Sequence, residues 1–311
     1  METLAQRAIG TLYGFRRWLL KQPVFNSTIL PAIPRPLRWL LRKVYFAPAD
    51  LLQRLRGTSN ELAPPNSANF SGFAGSYTSS GHASVKQLVD LGVLAPDYRV
   101  LDVGCGVGRL ALPLTEYLSA DGSYDGLDIV PKGIEWCKKN IAPRHPSFRF
   151  ELADVWNKEY NPKGASKASE YRFPYDDDSF DLVVLVSVFT HMLTDDMENY
   201  VSEIARVLKP GGHCFATYYL VNHESRRLME AGKGTLHFKH NFGAYWSING
   251  KVPELSVAFD ESYTRKIYED AGLSLEDGIH YGGWCGRAPS PVFGFQDAEL
   301  VDQDVVLATK R

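Results

Sequence analysis

The sequence predicts an α/β fold, a mostly parallel sheet with helices on both faces, preceded by a basic helical appendage. Three observations carry this reading. Val100-Leu101-Asp102-Val103 is an apolar strand that runs through the loop Gly104-Cys105-Gly106-Val107-Gly108-Arg109 into a helical stretch. Strand-like runs follow at 123–129, 148–154 and 181–186, each with acidic or polar groups at its end. Basic residues concentrate in the first 60 positions.

The first strand and its loop carry the most chemistry. Leu110, Leu112, Leu114 and Leu118 give the following helix its apolar side. Glycine at 104, 106 and 108 allows a sharp turn and close approach of a ligand to the main chain. A dinucleotide fingerprint, G-x-G-x-x-G, needs a third glycine where this chain has Arg109, which argues against a nicotinamide enzyme. Asp102, two residues before the first glycine, is a poor neighbour for phosphate but suits a cationic ligand. S-adenosylmethionine is such a ligand, positively charged and free of phosphate.

The second strand, Ser123-Tyr124-Asp125-Gly126-Leu127-Asp128-Ile129, places Asp128 where a carboxylate can accept both ribose hydroxyls. The third, Phe148 to Asp154, ends in an acid able to accept from an adenine amino group. The fourth, Asp181 to Val186, runs into Ser187-Val188-Phe189-Thr190-His191 and sets polar groups at the same sheet edge. A helix then closes in Leu208-Lys209-Pro210-Gly211-Gly212.

With D-x-G-x-G-x-G, two strand-end acids and that helix ending, residues 83–311 resemble the class I S-adenosylmethionine-dependent methyltransferases. The resemblance implies a Rossmann-like sheet of seven strands in the order 3-2-1-4-5-7-6, strand 7 antiparallel. It also implies S-adenosyl-L-methionine as cofactor. Asp102, Gly104, Cys105, Gly106 and Gly108 would flank its methionine part, Asp128 its ribose, and Asp154 with Val155 or Trp156 its adenine, with Ile129 also expected to bind the cofactor. Ser187 completes the expected cofactor-binding set.

The composition fits one large α/β core with appended segments, since 311 residues with 44% hydrophobic content need no second full domain. Cys105, Cys137, Cys214 and Cys285 show neither disulfide nor metal spacing and read as reduced thiols of a cytoplasmic protein, with no metal site. Residues 1–60 hold ten Lys or Arg and two Asp or Glu, a balance of +8, which leaves −10 on the remainder. Within residues 1–58, Leu4, Ala8, Leu12, Phe15 and Leu19 recur at helical spacing, as do Leu37, Leu40, Leu41 and Val44. Neither run is long enough to span a membrane, and the first lacks a signal-peptide pattern. Docking on the chain's own core or a second subunit, and peripheral membrane contact through residues 1–45, are the two main expectations. Nucleic acid is the least expected partner, because the catalytic part is acidic.

Residues 59–82 read as a linker or lid, with Phe73, Tyr77 and His82 as rim candidates, and a helix is expected over 83–94. Insertions at 155–174 and 222–258 read as lids over an acceptor site, and the aromatics of 281–287 as a further pocket wall. Ser187 to His191 lacks the Asp/Asn-Pro-Pro-aromatic pattern often used to methylate base or glutamine nitrogens. The expected reaction is therefore O-methylation of a small-molecule, sugar or lipid-linked acceptor, with His191 as general base. The alternatives are N-methylation of a small metabolite and a non-catalytic scaffold that binds the cofactor.

Overall fold

A computed structural model describes residues 14, 33–55, 62–69, 77–158, 160–276, 278–291 and 302–311. Leu4, Ala8, Leu12, Phe15 and Leu19 of the first predicted helix and the rim candidate Phe73 lie outside the described residues. The chain divides into two compact units, Met1–Tyr77 and Thr78–Arg311.

The first unit contains helix α1 (Arg35–Leu55). Its Asp50 carboxylate accepts the Asn66 N–H at 2.7 Å, the Asn66 side-chain amide at 3.0 Å and the Ser67 N–H at 3.2 Å. Arg42 donates to the Asn66 carbonyl at 3.3 Å. Residues 62–69 are thereby fastened to one face of α1.

In the second unit, α2 (Tyr77–Asp90) precedes β1 (Arg99–Val103), α3 (Ala111–Tyr117), β2 (Ser123–Asp128), α4 (Pro131–Asn140) and β3 (Phe148–Leu152). Then come β4 (Phe180–Leu185), α5 (Thr194–Val207), β5 (Leu208–Tyr218), β6 (Leu220–Val221), α6 (His223–Glu230), β7 (His240–Asn241) and β8 (Tyr245–Ser247). The last elements are β9 (Val257–Asp260), α7 (Glu261–Asp270), β10 (Leu273–Ser274), β11 (Ile279–His280) and β12 (Asp304–Lys310).

The main sheet runs β3-β2-β1-β4-β5-β12-β10, with β11 also paired to β12. Neighbours from β3 to β5 are parallel, whereas β12 is antiparallel to β5 and to β10 and β11. With β10 and β11 counted as one interrupted strand, this is the expected order 3-2-1-4-5-7-6. Side chains alternate between two cores, as the strand period requires. Leu101, Val103, Val183 and Leu185 join Val201 and Ile204 of α5 and Tyr268 of α7 on one face. Val100, Leu182 and Val184 join Leu88, Leu114, Ile134 and Cys137 of α2, α3 and α4 on the other.

Three local expectations are corrected. The helix expected over 83–94 occupies Tyr77–Asp90. Ser79-Ser80-Gly81 looks like a loop by propensity, but a Cβ on Gly81 would lie 2.4 Å from the Arg109 carbonyl oxygen, so a bare glycine lets the helix pack there. The helix α5 ends at Val207, and Leu208 already pairs with Phe180. The Pro-Gly-Gly turn is absorbed as a register shift in β5, because Leu182 pairs next with His213.

The third correction concerns 281–287. Trp284 and Cys285 are fully buried with Val221, Leu228, Phe238 and Ala258, in the core under the 222–258 insertion, and do not wall a pocket. The indole N–H of Trp284 and the N–H groups of Leu220 and Gly282 all donate to the buried Asp304 carboxylate, at 2.8, 2.7 and 2.8 Å. Tyr281 is likewise engaged, donating to Glu261 at 2.9 Å with the Arg287 guanidinium 4.4 Å from its ring centre. The insertion is a folded layer, its sheet ordered β6-β9-β8-β7. All four cysteines are buried and free.

Candidate active site

Strand order reverses between β1 and β4, because the chain proceeds outward through β2 and β3 on one side and through β5 on the other. A crevice at the carboxyl ends of these strands is the expected ligand position in such a sheet. The residues singled out from sequence lie along this edge.

Gly104, Gly106 and Gly108 all have positive φ, at 86°, 60° and 83°. At Gly104 the need for glycine is double. Its φ is in the left-handed region, and a Cβ there would stand 2.4 Å from Val188 Cγ2, so the loops after β1 and β4 approach within contact. The N–H groups of Gly104 and Cys105 donate to the Leu127 carbonyl at 2.7 and 3.2 Å, tying the turn to β2. Cys105 is buried beneath it, and burial pushes its thiol well above the usual range.

Asp102 closes the floor of this loop. It is buried and accepts the Tyr124 hydroxyl at 2.7 Å. Burial pushes its carboxyl up to about 7, although the Tyr124 hydrogen bond and the Arg109 charge oppose that rise. Asp128, 8% exposed at the end of β2, accepts the Gly106 N–H on one oxygen and the Val130 N–H on the other, both at 2.7 Å. Its pKa is raised to about 6, again by burial, against the pull of these backbone donors.

Ile129 beside it is half-buried. At the end of β3, Asp154 is exposed and turns back to accept the Ala165 N–H at 3.3 Å, which braces the 155–174 insertion. Val155 is packed in the core, while Trp156 is 51% exposed and Leu152 40%. The β2 and β3 ends therefore offer two carboxylates beside exposed apolar surface.

After β4, Ser187 adopts φ 60°, an uncommon conformation for a residue with a side chain. Its N–H donates to Thr217 Oγ1 at 2.7 Å, and its hydroxyl faces the Gln303 amide, with Gln303 Nε2 2.9 Å away. Local strain of this kind persists only where surrounding bonds enforce it. The next turn, a 3-10 segment over Phe189–His191, carries the histidine.

His191 Nδ1 lies 3.0 Å from the Glu254 carbonyl oxygen. A carbonyl only accepts, so Nδ1 bears the proton and Nε2 is left as the acceptor nitrogen of the neutral ring. Burial lowers the His191 pKa below 6.5, against the opposing effect of the Glu254 and Leu255 backbone. The Tyr160 ring stands edge-on, with centroids 6.3 Å apart. The 155–174 and 222–258 insertions therefore both reach His191, one through Tyr160 and the other through Glu254.

The other rim candidates are engaged locally. His82 places one ring nitrogen 2.8 Å from the Thr78 carbonyl and the other 3.4 Å from Glu116, and Tyr77 is buried in the helix start. Sequence reasoning did not single out Glu254 or Gln303. The first acts through its backbone, and the second lies 116 positions from its partner Ser187. Among the described residues no group of His, Cys, Asp or Glu is placed to hold a metal ion.

The family described as "Methyltransferase domain" matches residues 101–216. Over 117 residues the chain is 35% identical to the phthiotriol/phenolphthiotriol dimycocerosates methyltransferase of Mycobacterium leprae (strain TN), covering 37% of this chain and 35% of that one. It is 29% identical over 119 residues to the tRNA N(3)-cytidine methyltransferase METTL2 of Mus musculus, covering 37% of this chain and 27% of that one. The chain spans about a third of the length of the curated relatives it matches. A solved SAM-dependent methyltransferase from Methanosarcina mazei aligns with a TM-score of 0.47 at 18% identity, over 71% of this chain and 96% of that one.

Proposed function

We propose that the chain, whose residues 101–216 match a methyltransferase-domain family, is a class I S-adenosylmethionine-dependent methyltransferase that methylates a hydroxyl of a small-molecule, sugar or lipid-linked acceptor. The observation that supports the oxygen assignment is the contact of His191 Nδ1 with the Glu254 carbonyl, which puts the ring proton on Nδ1 and leaves Nε2 able to accept one.

The cofactor is S-adenosyl-L-methionine, and the residues present fit it. Asp128 retains lone pairs for two ribose hydroxyls, Asp154 and Trp156 offer a polar edge and an apolar face for adenine, and Asp102 with the glycine loop suits the cationic methionine end. Ser187, set in a strained turn against Gln303, borders the same edge. When bound, the donor supplies an activated methyl on a sulfonium. The protein then has to align the acceptor oxygen, exclude water and take one proton. His191 Nε2 is assigned that proton, while Nδ1–H stays on the Glu254 carbonyl and keeps the ring from turning. The insertions at 155–174 and 222–258 are assigned the acceptor walls, because both reach the histidine.

The relatives' names span phthiotriol dimycocerosates and tRNA cytidine, so the acceptor class rests on the site. An acidic remainder of −10 beyond residue 60 disfavours a polyanionic acceptor. Peripheral contact with a membrane is proposed for the basic N-terminal region. No helix among the described residues is long and apolar enough to cross one.

The test is incubation with methyl-labelled donor and fractionated aqueous and lipid extracts, followed by mass spectrometry. Label on an ether or ester oxygen supports the proposal. Label on nitrogen establishes the N-methyl alternative, label on RNA overturns the acceptor class, and donor binding without any product supports a scaffold.

A further inference from the structure

In α1 the apolar stripe faces solvent. Leu37, Leu40, Leu41, Val44, Leu51 and Leu55 recur at helical spacing along one side, with exposures from 45% at Leu37 to 74% at Leu55. On the opposite side Phe46 and Ala49 are buried, and Asp50 is clamped by Asn66 and Ser67. A helix packed as part of a globular core turns its leucines inward. This one is anchored by its other side and presents them outward.

We propose that this leucine face is the seat of an anionic lipid surface, with α1 lying in the plane of the headgroups. The inference rests on the membrane-contact reading above and moves its centre from residues 1–45 to the stripe between Leu37 and Leu55.

Charge selects the occupant. Lys43 is exposed on the Asp50 side of α1, and residues 1–60 carry +8 with Glu2 and Asp50 as their only acids. Asp50 is already committed to residues 62–69. Two copies of so basic a region would repel each other, whereas acidic phospholipids attract it and accept the leucines. Length and composition fit a helix on the surface and not across it, because basic residues interrupt every apolar run. A chain held there meets amphiphilic acceptors where they accumulate.

The experiment is co-sedimentation of the full chain with phosphatidylcholine vesicles, with and without phosphatidylglycerol, at low and high salt. The test variant is Leu40→Asp with Leu51→Asp, whose exposed sites tolerate charge without disturbing the fold, as circular dichroism and S-adenosylhomocysteine binding will verify. A control variant, Arg16→Glu with Arg17→Glu, alters the basic region outside α1. The expected result is salt-sensitive binding to anionic vesicles only, weakened roughly tenfold or more in the leucine variant. Unchanged binding of the leucine variant overturns the assignment of the stripe. If the arginine variant alone loses binding, membrane contact stands but is seated elsewhere. Failure of the unaltered chain to sediment sinks both readings, and a dimer that the leucine variant dissociates shows that a second copy covers the face.

Discussion

The Gly106 N–H donates to the Asp128 carboxylate across 2.7 Å, so the turn after β1 and the acid at the end of β2 hold each other in place. The other carboxylate oxygen is fixed by the Val130 N–H. Such an acid is oriented before any ligand arrives. Asp128→Ala is therefore expected to weaken S-adenosylhomocysteine by about 1.5–3 kcal/mol, the scale of a hydrogen bond to a charged group. Calorimetry checks this, and unchanged affinity would remove the ribose role.

Donor affinity should also depend on pH. Burial raises Asp128 to about 6 and Asp102 to about 7, so both are ionised above these values and protonated below them. A cationic donor binds the ionised site better, and linkage then requires affinity to fall as pH drops through that window. Calorimetric titration of S-adenosylmethionine at about pH 8 and about pH 5 should show roughly tenfold weaker binding at the lower pH. Asp102→Asn should flatten the profile, and an equally steep profile in that variant would exclude Asp102 as its source.

His191→Ala is expected to lower turnover on a hydroxyl acceptor by roughly two to four orders of magnitude while leaving donor binding intact. Because burial holds the His191 pKa below 6.5, kcat/KM should be level at neutral pH and fall only at lower pH, as the ring takes up a proton. A histidine that merely supports the sheet edge would leave no such limb in the pH profile. Near-normal turnover of the alanine variant would show that alignment of the acceptor suffices.

Gly104→Ala confronts both a φ of 86° and Val188 Cγ2 at 2.4 Å from the new Cβ. The strain should cost about 1–3 kcal/mol of stability and weaken the donor, read by thermal unfolding and calorimetry. Adding Val188→Ala frees the space but not the backbone angle, so the double variant should recover only part of the loss. Full recovery would show that crowding, and not φ, requires glycine there.

The first four strands and the loop after β1 were legible because period and glycine placement are local signals, whereas the strand order was implied by the family resemblance. Ser123–Asp128 and Phe180–Leu185 were found within a residue or so of their bounds. What stayed hidden depends on distant partners. Gly81 looks like a loop residue until Arg109 is seen against it, and Trp284 looks like a pocket aromatic until Asp304 is seen to accept its indole N–H. The orientation of His191 comes from the Glu254 carbonyl, and a backbone oxygen leaves no mark on residue type. Ser187 was singled out by its place after β4, but the bonds to Thr217 and Gln303 that hold its unusual φ were not.

The position of β12 between β5 and the β10–β11 edge sets an order of assembly. Leu220 and its acceptor Asp304 are 84 positions apart, and among the described residues β10 and β11 have no other neighbour in that sheet. Closing so long a loop adds little to the equilibrium cost, which grows only logarithmically, but it delays the search. Until residues 304–310 insert, β5 shows an uncovered edge of unpaired amides and carbonyls to other molecules. Refolding should therefore end with closure of that edge, and dilution, which slows encounters between chains without slowing the loop, should raise the yield of native protein.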